Sequence, residues 1–289
     1  MATLVVIIHE FDHFLMRESA EGPITSPYLL FDVLRHLETL GHRFRISKGL
    51  EAENGDAALL HVDATIVDQE YLDLGKRYPL ALNFRTGDIS KRRISRILLS
   101  KDDPWAGPVI VKANYNNRAV IEDLHNRRAA RAGKPAPHAG VSVGQTYAVL
   151  ESLADVPDED WSNPSLVVER FIAEQDEDGN FALRTWVFMG TRERCTRFLT
   201  TDRISKAADV ISYESVEVPP QLRPERERLG FDFGKFDFVM QGGEPVLLDA
   251  NRTPGTARAI RDLMDKGAIN LAEGLHGLLT GQSDPVSIS

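Results

Sequence analysis

Two runs near the C-terminus, Lys235 to Met240 and Pro245 to Asn251, constrain the chain to a β-hairpin. The Gln-Gly-Gly-Glu between them supplies the positive-φ positions that a tight turn needs. Side chains two apart on a strand share a face, so Asp249 and Asn251 project together. Asp237 lies opposite Asp249, on the same face, if the loop holds an odd number of residues. A three-residue loop with a glycine bulge would achieve this. That register sets Phe238 against Leu248 on the other, apolar face.

Two carboxylates and an amide oxygen, with no His or Cys beside them, suit a hard cation. Mg²⁺ with nucleotide phosphates completing its shell is the natural occupant. The competing reading is a pair of surface acids and a turn asparagine.

Composition narrows the class. The chain has 289 residues, 42% hydrophobic and 27% charged, with a formal net charge of −9. That length supports two or three lobes, and the acidic balance argues against a general nucleic-acid binder. A single cysteine, Cys195, excludes an intrachain disulfide and a cysteine-rich zinc site. No apolar run reaches ~18 residues, so no transmembrane helix is expected. The run from Thr3 to Ile8 is too short for a signal-peptide core and lacks a basic flank. A cytoplasmic protein without membrane or nucleic-acid partners is the expectation.

Leu4 to Ile8 is an unbroken apolar run, as in a strand covered on both sides of a parallel sheet. Ser26-Pro27 is a helix start, and the helix should run to Leu40 with Gly41 ending it. Strands at Arg43–Ile46, Ala57–Val62 and Leu80–Phe84 and a helix over Asp68–Lys76 complete an open α/β unit ending near Gly87. His9-Glu-Phe-Asp-His13 matches the zinc-protease pattern formally. It follows strand formers, whereas that motif works on a helix, so we reject a catalytic zinc there. At the carboxyl end of a strand, His9, Asp12 and His13 are placed either to face a substrate or to lie in a solvated loop.

Beyond this unit, Asp88 to Leu99 reads as an amphipathic helix carrying Lys91. Gly107 to Ala113 is an apolar strand carrying Lys112, and burying an ammonium is costly without a partner. Val120 to Arg131 is a basic helix. Leu166 to Ile172 is a strand leading into the acidic run Glu174 to Asp178. Phe181–Met189 and Arg194–Thr200 form a hairpin, followed by Arg203 and Lys206. After the Asp237/Asp249 hairpin comes Asn251-Arg-Thr-Pro-Gly255, and two helices, Ala257–Asp265 and Ile269–Leu279, close the chain.

This order of motifs, from about Asp88 to Gly255, resembles the ATP-grasp superfamily, in particular ligases of the glutamate-ligase type. The resemblance implies an α/β and α+β chain: an N-terminal open α/β domain (1–87), then a two-lobed ATP-grasp domain (88–165 and 166–289). It implies that Lys91 and Lys112 hold nucleotide phosphates. Glu169, Arg170, Phe171 and Ile172 would face adenine, with Glu174 on the ribose. Arg184, with Arg203 and Lys206, would steady the transferred phosphoryl group, and Asp237, Asp249 and Asn251 would bind Mg²⁺. Two departures stand out. The family usually has Glu-x-Asn, where this chain has Asp249, one methylene shorter. Where many members carry a glycine-rich phosphate loop, this chain has Asn114-Tyr-Asn-Asn-Arg118. The implied activity is ATP- and Mg²⁺-dependent joining of a carboxylate to an amine (or thiol). The acceptors would be small molecules such as an amino acid, a peptide or an aminosugar, and a homodimer is compatible. A phosphotransferase and a non-catalytic nucleotide binder are the alternatives.

Overall fold

Leu4, Val6 and Ile8 pack on one side of the first strand and Val5 and Ile7 on the other, as an apolar run covered on both faces requires. The computed structural model describes residues 1–17, 24–144, 147–204, 209–256 and 261–281, with side chains in the last stretch from 266 onward. In the N-terminal region β1 (Thr3–Ile8), β4 (Arg43–Lys48), β5 (Ala57–Leu60) and β6 (Leu80–Leu82) form a parallel sheet in the order β4-β1-β5-β6. A two-residue pair, β2 (Met16–Arg17) with β3 (Ile24–Thr25), lies between β1 and α1 (Leu29–Thr39), and α2 (Gln69–Asp73) follows β5.

Helix α1 begins at Leu29, two residues later than an N-cap at Ser26 implies. Ser26 Oγ accepts the Tyr28 amide at 3.3 Å, and the Leu29 amide donates to the Pro254 carbonyl at 2.9 Å. The segment before the helix is therefore tied to the Pro-Gly loop in extended form.

The middle region contains α3 (Lys91–Ile94), β7 (Val109–Ala113), α4 (Val120–Arg131), β8 (Ala148–Leu150), α5 (Asp158–Ser162) and β9 (Leu166–Arg170). Its sheet is antiparallel, β8-β7-β9. The expected helix from Asp88 to Leu99 is only the single turn α3. Residues 97–99 instead extend along β9, with Leu99 N donating to Val168 O at 2.9 Å and Arg170 N to Ile97 O at 3.0 Å. Ile97 and Leu98 read as a helical stripe in sequence but serve a strand edge.

The C-terminal region holds β10 (Glu174–Gln175), β11 (Phe181–Met189), β12 (Arg192–Thr200), β13 (Val210–Val216), α6 (Leu222–Leu229), β14 (Phe233–Gln241), β15 (Glu244–Asn251) and α7 (Arg261–Thr280). The sheet is antiparallel, β13-β12-β11-β14-β15, with β10 on β11. One face carries Trp186, Phe188, Phe236 and Phe238 in an aromatic core under α6. The other face packs Val187, Met189 and Phe233 against α7, which in turn packs on α1. The two closing helices expected from sequence are one helix over Arg261–Thr280, and residues 257–260 lie outside the described residues.

Candidate functional site

The middle and C-terminal sheets enclose a cavity of about 270 Å³. Asp237 pairs with Asp249 across β14 and β15, in the register expected, but the turn is different. Gln241 opposes Glu244, so the loop is the two residues Gly242-Gly243, with φ of 59° and 87°. Continued regularly, an even loop would pair Asp237 with Leu248 and turn Asp249 to the aromatic face. A β-bulge between Asp237 and Phe238 prevents this: Phe238 opposes Leu247, not Leu248, and Leu248 is the extra residue. The bulge lets Leu248 and Asp249 both line the cavity, Leu248 as part of an apolar cluster with Ile172, Leu183 and Val239.

Each acid on this face has a cationic partner. Lys235 Nζ lies 2.8 Å from Asp237 Oδ2, and Thr185 Oγ1 donates to Asp237 Oδ1 at 2.8 Å. Burial would lower the Lys235 ammonium, but Asp237 and then Asp249 outweigh it and raise its pKa. Lys91 Nζ donates to Asp249 Oδ1 at 2.5 Å and to Asn116 Oδ1 at 2.7 Å. Lys112 Nζ sits 2.6 Å from Glu169 Oε2 and donates to the Leu248 carbonyl at 3.2 Å. Glu169 is fully buried, and no donor among the described residues is well aimed at either of its oxygens despite that ion pair. Lys91 and Lys112 are 1% and 6% exposed, so both ammoniums depend on these partners.

Of the residues singled out in the sequence, Lys91, Lys112, Glu169, Arg170, Phe171, Ile172, Glu174, Arg203, Asp237 and Asp249 line this one cavity. Arg184 does not. It alternates with Leu183 and Thr185, which face the cavity side, and so lies on the aromatic-core face opposite Phe238. There Arg184 Nε and Nη2 grip Glu174 at 2.8–3.0 Å. Glu174 also accepts from Arg197 Nε at 3.1 Å and from the Met240 amide at 2.8 Å. Burial would raise the Glu174 carboxyl, but these donors hold it below the usual glutamate value. Arg184 is therefore paired with Glu174 on the face away from Asp237, and Glu174 is held by two guanidiniums and a backbone amide. Arg203 is largely exposed beside Glu151, and Lys206 lies outside the described residues.

Asn251 lines a second cavity, of about 470 Å³, which shares Asp249 and Tyr147 with the first. Asn251 Oδ1 accepts the Thr253 amide at 2.8 Å, a local turn that fixes it. This second cavity opens on the N-terminal region through Asp63 and Thr65. Asp63 accepts from Tyr28 OH at 2.7 Å and Thr253 Oγ1 at 2.6 Å. Burial, and then the charge of Asp12, push its carboxyl up to about 6. His9 and Asp12 do not face this space. They are buried behind Asp63, whose amide donates to Asp12 Oδ2 at 3.1 Å, and His13 is exposed.

Lys235, Asn116, Tyr147 and Asp63 belong to the site and were not singled out from the sequence. Lys235 was within reach, because it alternates with Asp237 on one strand face. Tyr147 carries no sequence signal. Burial, then Asp249, push its hydroxyl up to about 12.

No protein-family model and no curated protein matches the sequence. Solved structures do. D-alanine–D-alanine ligase from Bacillus anthracis is similar at a TM-score of 0.50 and 13% identity, covering 96% of each chain. A RimK domain ATP-grasp protein from Sphaerobacter thermophilus gives 0.48 and 13%, covering 95% of this chain and 100% of that one. A RiPP-associated ATP-grasp ligase from Chryseobacterium gregarium gives 0.48 and 11%, covering 98% of each. The likeness concerns the fold, and it rests on the ligase from Bacillus anthracis.

Proposed function

We propose, from the premise that this chain has the ATP-grasp fold, that it is an ATP- and Mg²⁺-dependent ligase joining a carboxylate to an amine through an acyl phosphate. The observation that carries this reading is the paired Asp237 and Asp249, with Lys91 and Lys112 beside them, at the junction of an apolar-walled cavity and a polar one. Adenine suits the wall of Ile172, Leu183, Val239 and Leu248. Asp237 and Asp249 offer the hard oxygen donors that Mg²⁺ takes, with Asn251 near Asp249, and the bound ion would neutralise phosphate charge. Lys91, paired with Asp249, and Lys112, paired with Glu169, would hold phosphate as point charges.

The second cavity, lined by Asp63, Asp249 and Asn251, is the position this reading gives to the acceptor. A carboxylate oxygen there attacks the γ-phosphorus and ADP leaves. The amine nitrogen next attacks the acyl carbon, phosphate departs, and the ammonium proton passes to a base. Asp63, which lines that cavity and whose carboxyl is pushed up to about 6 by burial, is the base we assign to that proton. Lys91, Lys112 and the exposed Arg203 stabilise the charge that develops on the phosphoryl group.

Incubation with ATP, Mg²⁺ and a panel of amino acids, short peptides and aminosugars tests the reaction class. The ligase reading expects ADP release that depends on acceptor, and hydroxylamine trapping of the acyl phosphate as a hydroxamate. A stable phosphorylated product formed without an amine would indicate a phosphotransferase. Tight binding of Mg·ATP with no turnover would indicate a non-catalytic binder.

A further inference from the structure

Behind the acceptor cavity, three histidines from distant segments meet: His9 at the end of β1, His125 on α4 and His138 in the loop beyond it. Their candidate ligand nitrogens lie within 4.8 Å of one another. His125 is fully buried, His9 is 4% exposed and His138 is half-buried. The formal zinc-protease pattern is not what gathers them, since His13 is exposed and takes no part.

Hydrogen bonds fix which nitrogens are offered. Asp12 Oδ1 lies 2.6 Å from His125 Nε2, so Nε2 carries the proton and Nδ1 keeps its lone pair. Asp12 is held in turn by the amides of His9 at 3.0 Å and Asp63 at 3.1 Å, both on Oδ2. His125 Nδ1 faces His138 Nε2 at 3.2 Å, a contact in which His138 supplies the proton. Two imidazole nitrogens on a tetrahedral ion, each at about 2.0–2.1 Å, stand at nearly that separation. A carboxylate on the far nitrogen of a ligating histidine is also the usual outer support of such an ion.

We propose that His125 and His138, joined by His9, form a second metal site that takes a borderline transition ion such as Zn²⁺, separate from the Mg²⁺ position. The ion takes the place of the proton between His125 Nδ1 and His138 Nε2, and that proton leaves Nε2 as His138 goes over to its Nδ1–H tautomer. His9 is stacked on His125 at 4.3 Å and accepts the Phe11 amide on Nδ1 at 3.1 Å. It becomes the third ligand by turning out of the stack and giving up that bond. Imidazole nitrogens select Zn²⁺, Co²⁺ or Ni²⁺ over Mg²⁺. Bound there, the ion would clip β1, α4 and the His138 loop together. Through Asp12 it would also fix the backbone of Asp63 at the acceptor cavity.

The test is calorimetric titration of the chelator-stripped full chain with Zn²⁺ in excess Mg²⁺, with Co²⁺ absorption as a second readout. The expected result is one equivalent bound, tetrahedral Co²⁺ bands, and a melting temperature raised by Zn²⁺. His138→Gln, at a half-buried position, should weaken Zn²⁺ at least about tenfold. Asp12→Asn should weaken it by about 10–100-fold. Asp249→Asn should leave it unchanged. No stoichiometric Zn²⁺ binding by the unmodified chain, or equal affinity in a folded His138→Gln variant, would overturn the proposal.

Discussion

The Glu174 carboxylate, which the ATP-grasp resemblance assigns to a ribose, is held by the Arg184 and Arg197 guanidiniums and a backbone amide. Its charge therefore contributes stability. Because these donors depress its pKa, the contribution is present above the ordinary glutamate value of 4.5 and is lost as pH falls through the lower folded-state value. Glu174→Gln should cost about 1–3 kcal/mol in thermal melts at pH 7, and less at pH 3.5. Arg184→Ala should destabilise similarly while leaving affinity for an ATP analogue within about threefold. Asp63 behaves oppositely. Its folded-state pKa is raised from 3.8 to about 6, so stability falls as pH rises across that window. Asp63→Asn should remove that part of the slope when melting temperature is followed from pH 4 to 7.

Among the elements, the β14–β15 hairpin decides the site, and its bulge was not legible. Side-chain alternation and the Gly-Gly turn give two strands, but they leave open whether an extra residue sits in the turn or in the ladder. Strand lysines and the Asp pair were legible because a charge in an apolar run is conspicuous. The role of Arg184 was not, since its face depends on register along β11. The helix expected over Asp88–Leu99 failed for a tertiary reason: residues 97–99 find backbone partners on β9.

The segment standing in place of a glycine-rich loop has its own signature. Asn117, Arg118 and Ala119 are all left-handed, with φ of 43°, 57° and 64°. The left-handed Cβ clash of an alanine costs roughly 1–2 kcal/mol, and burial of the Ala119 methyl, 1% exposed, offsets about 0.8 kcal/mol of it. Ala119→Gly should therefore raise stability by up to about 1 kcal/mol in urea unfolding. A loss would show that the turn is not held left-handed in solution.

At the scale of the whole molecule, Arg252 joins the hairpin to the N-terminal sheet. Its fully buried guanidinium donates to Val62 O at 3.3 Å, Ala64 O at 2.5 Å and Thr86 O. Removing it orphans three buried carbonyls, so Arg252→Ala should cost at least about 3 kcal/mol in denaturant unfolding. The arginine was visible in sequence only as part of Asn251-Arg-Thr-Pro-Gly255. That it turns away from ligand and into the N-terminal region is a property of the assembled fold.

The central claim is that the cavity between the sheets holds a Mg-nucleotide, with Lys112 on its phosphates. Calorimetry of the unmodified chain and of Lys112→Met, each titrated with a non-hydrolysable ATP analogue in Mg²⁺ and separately with adenosine, tests it most directly. A charge-assisted contact contributes about 1.5–3 kcal/mol, so the variant should lose about 10–150-fold in affinity for the triphosphate and little for adenosine. Unaltered triphosphate affinity in Lys112→Met, or equal losses for triphosphate and adenosine, would contradict it.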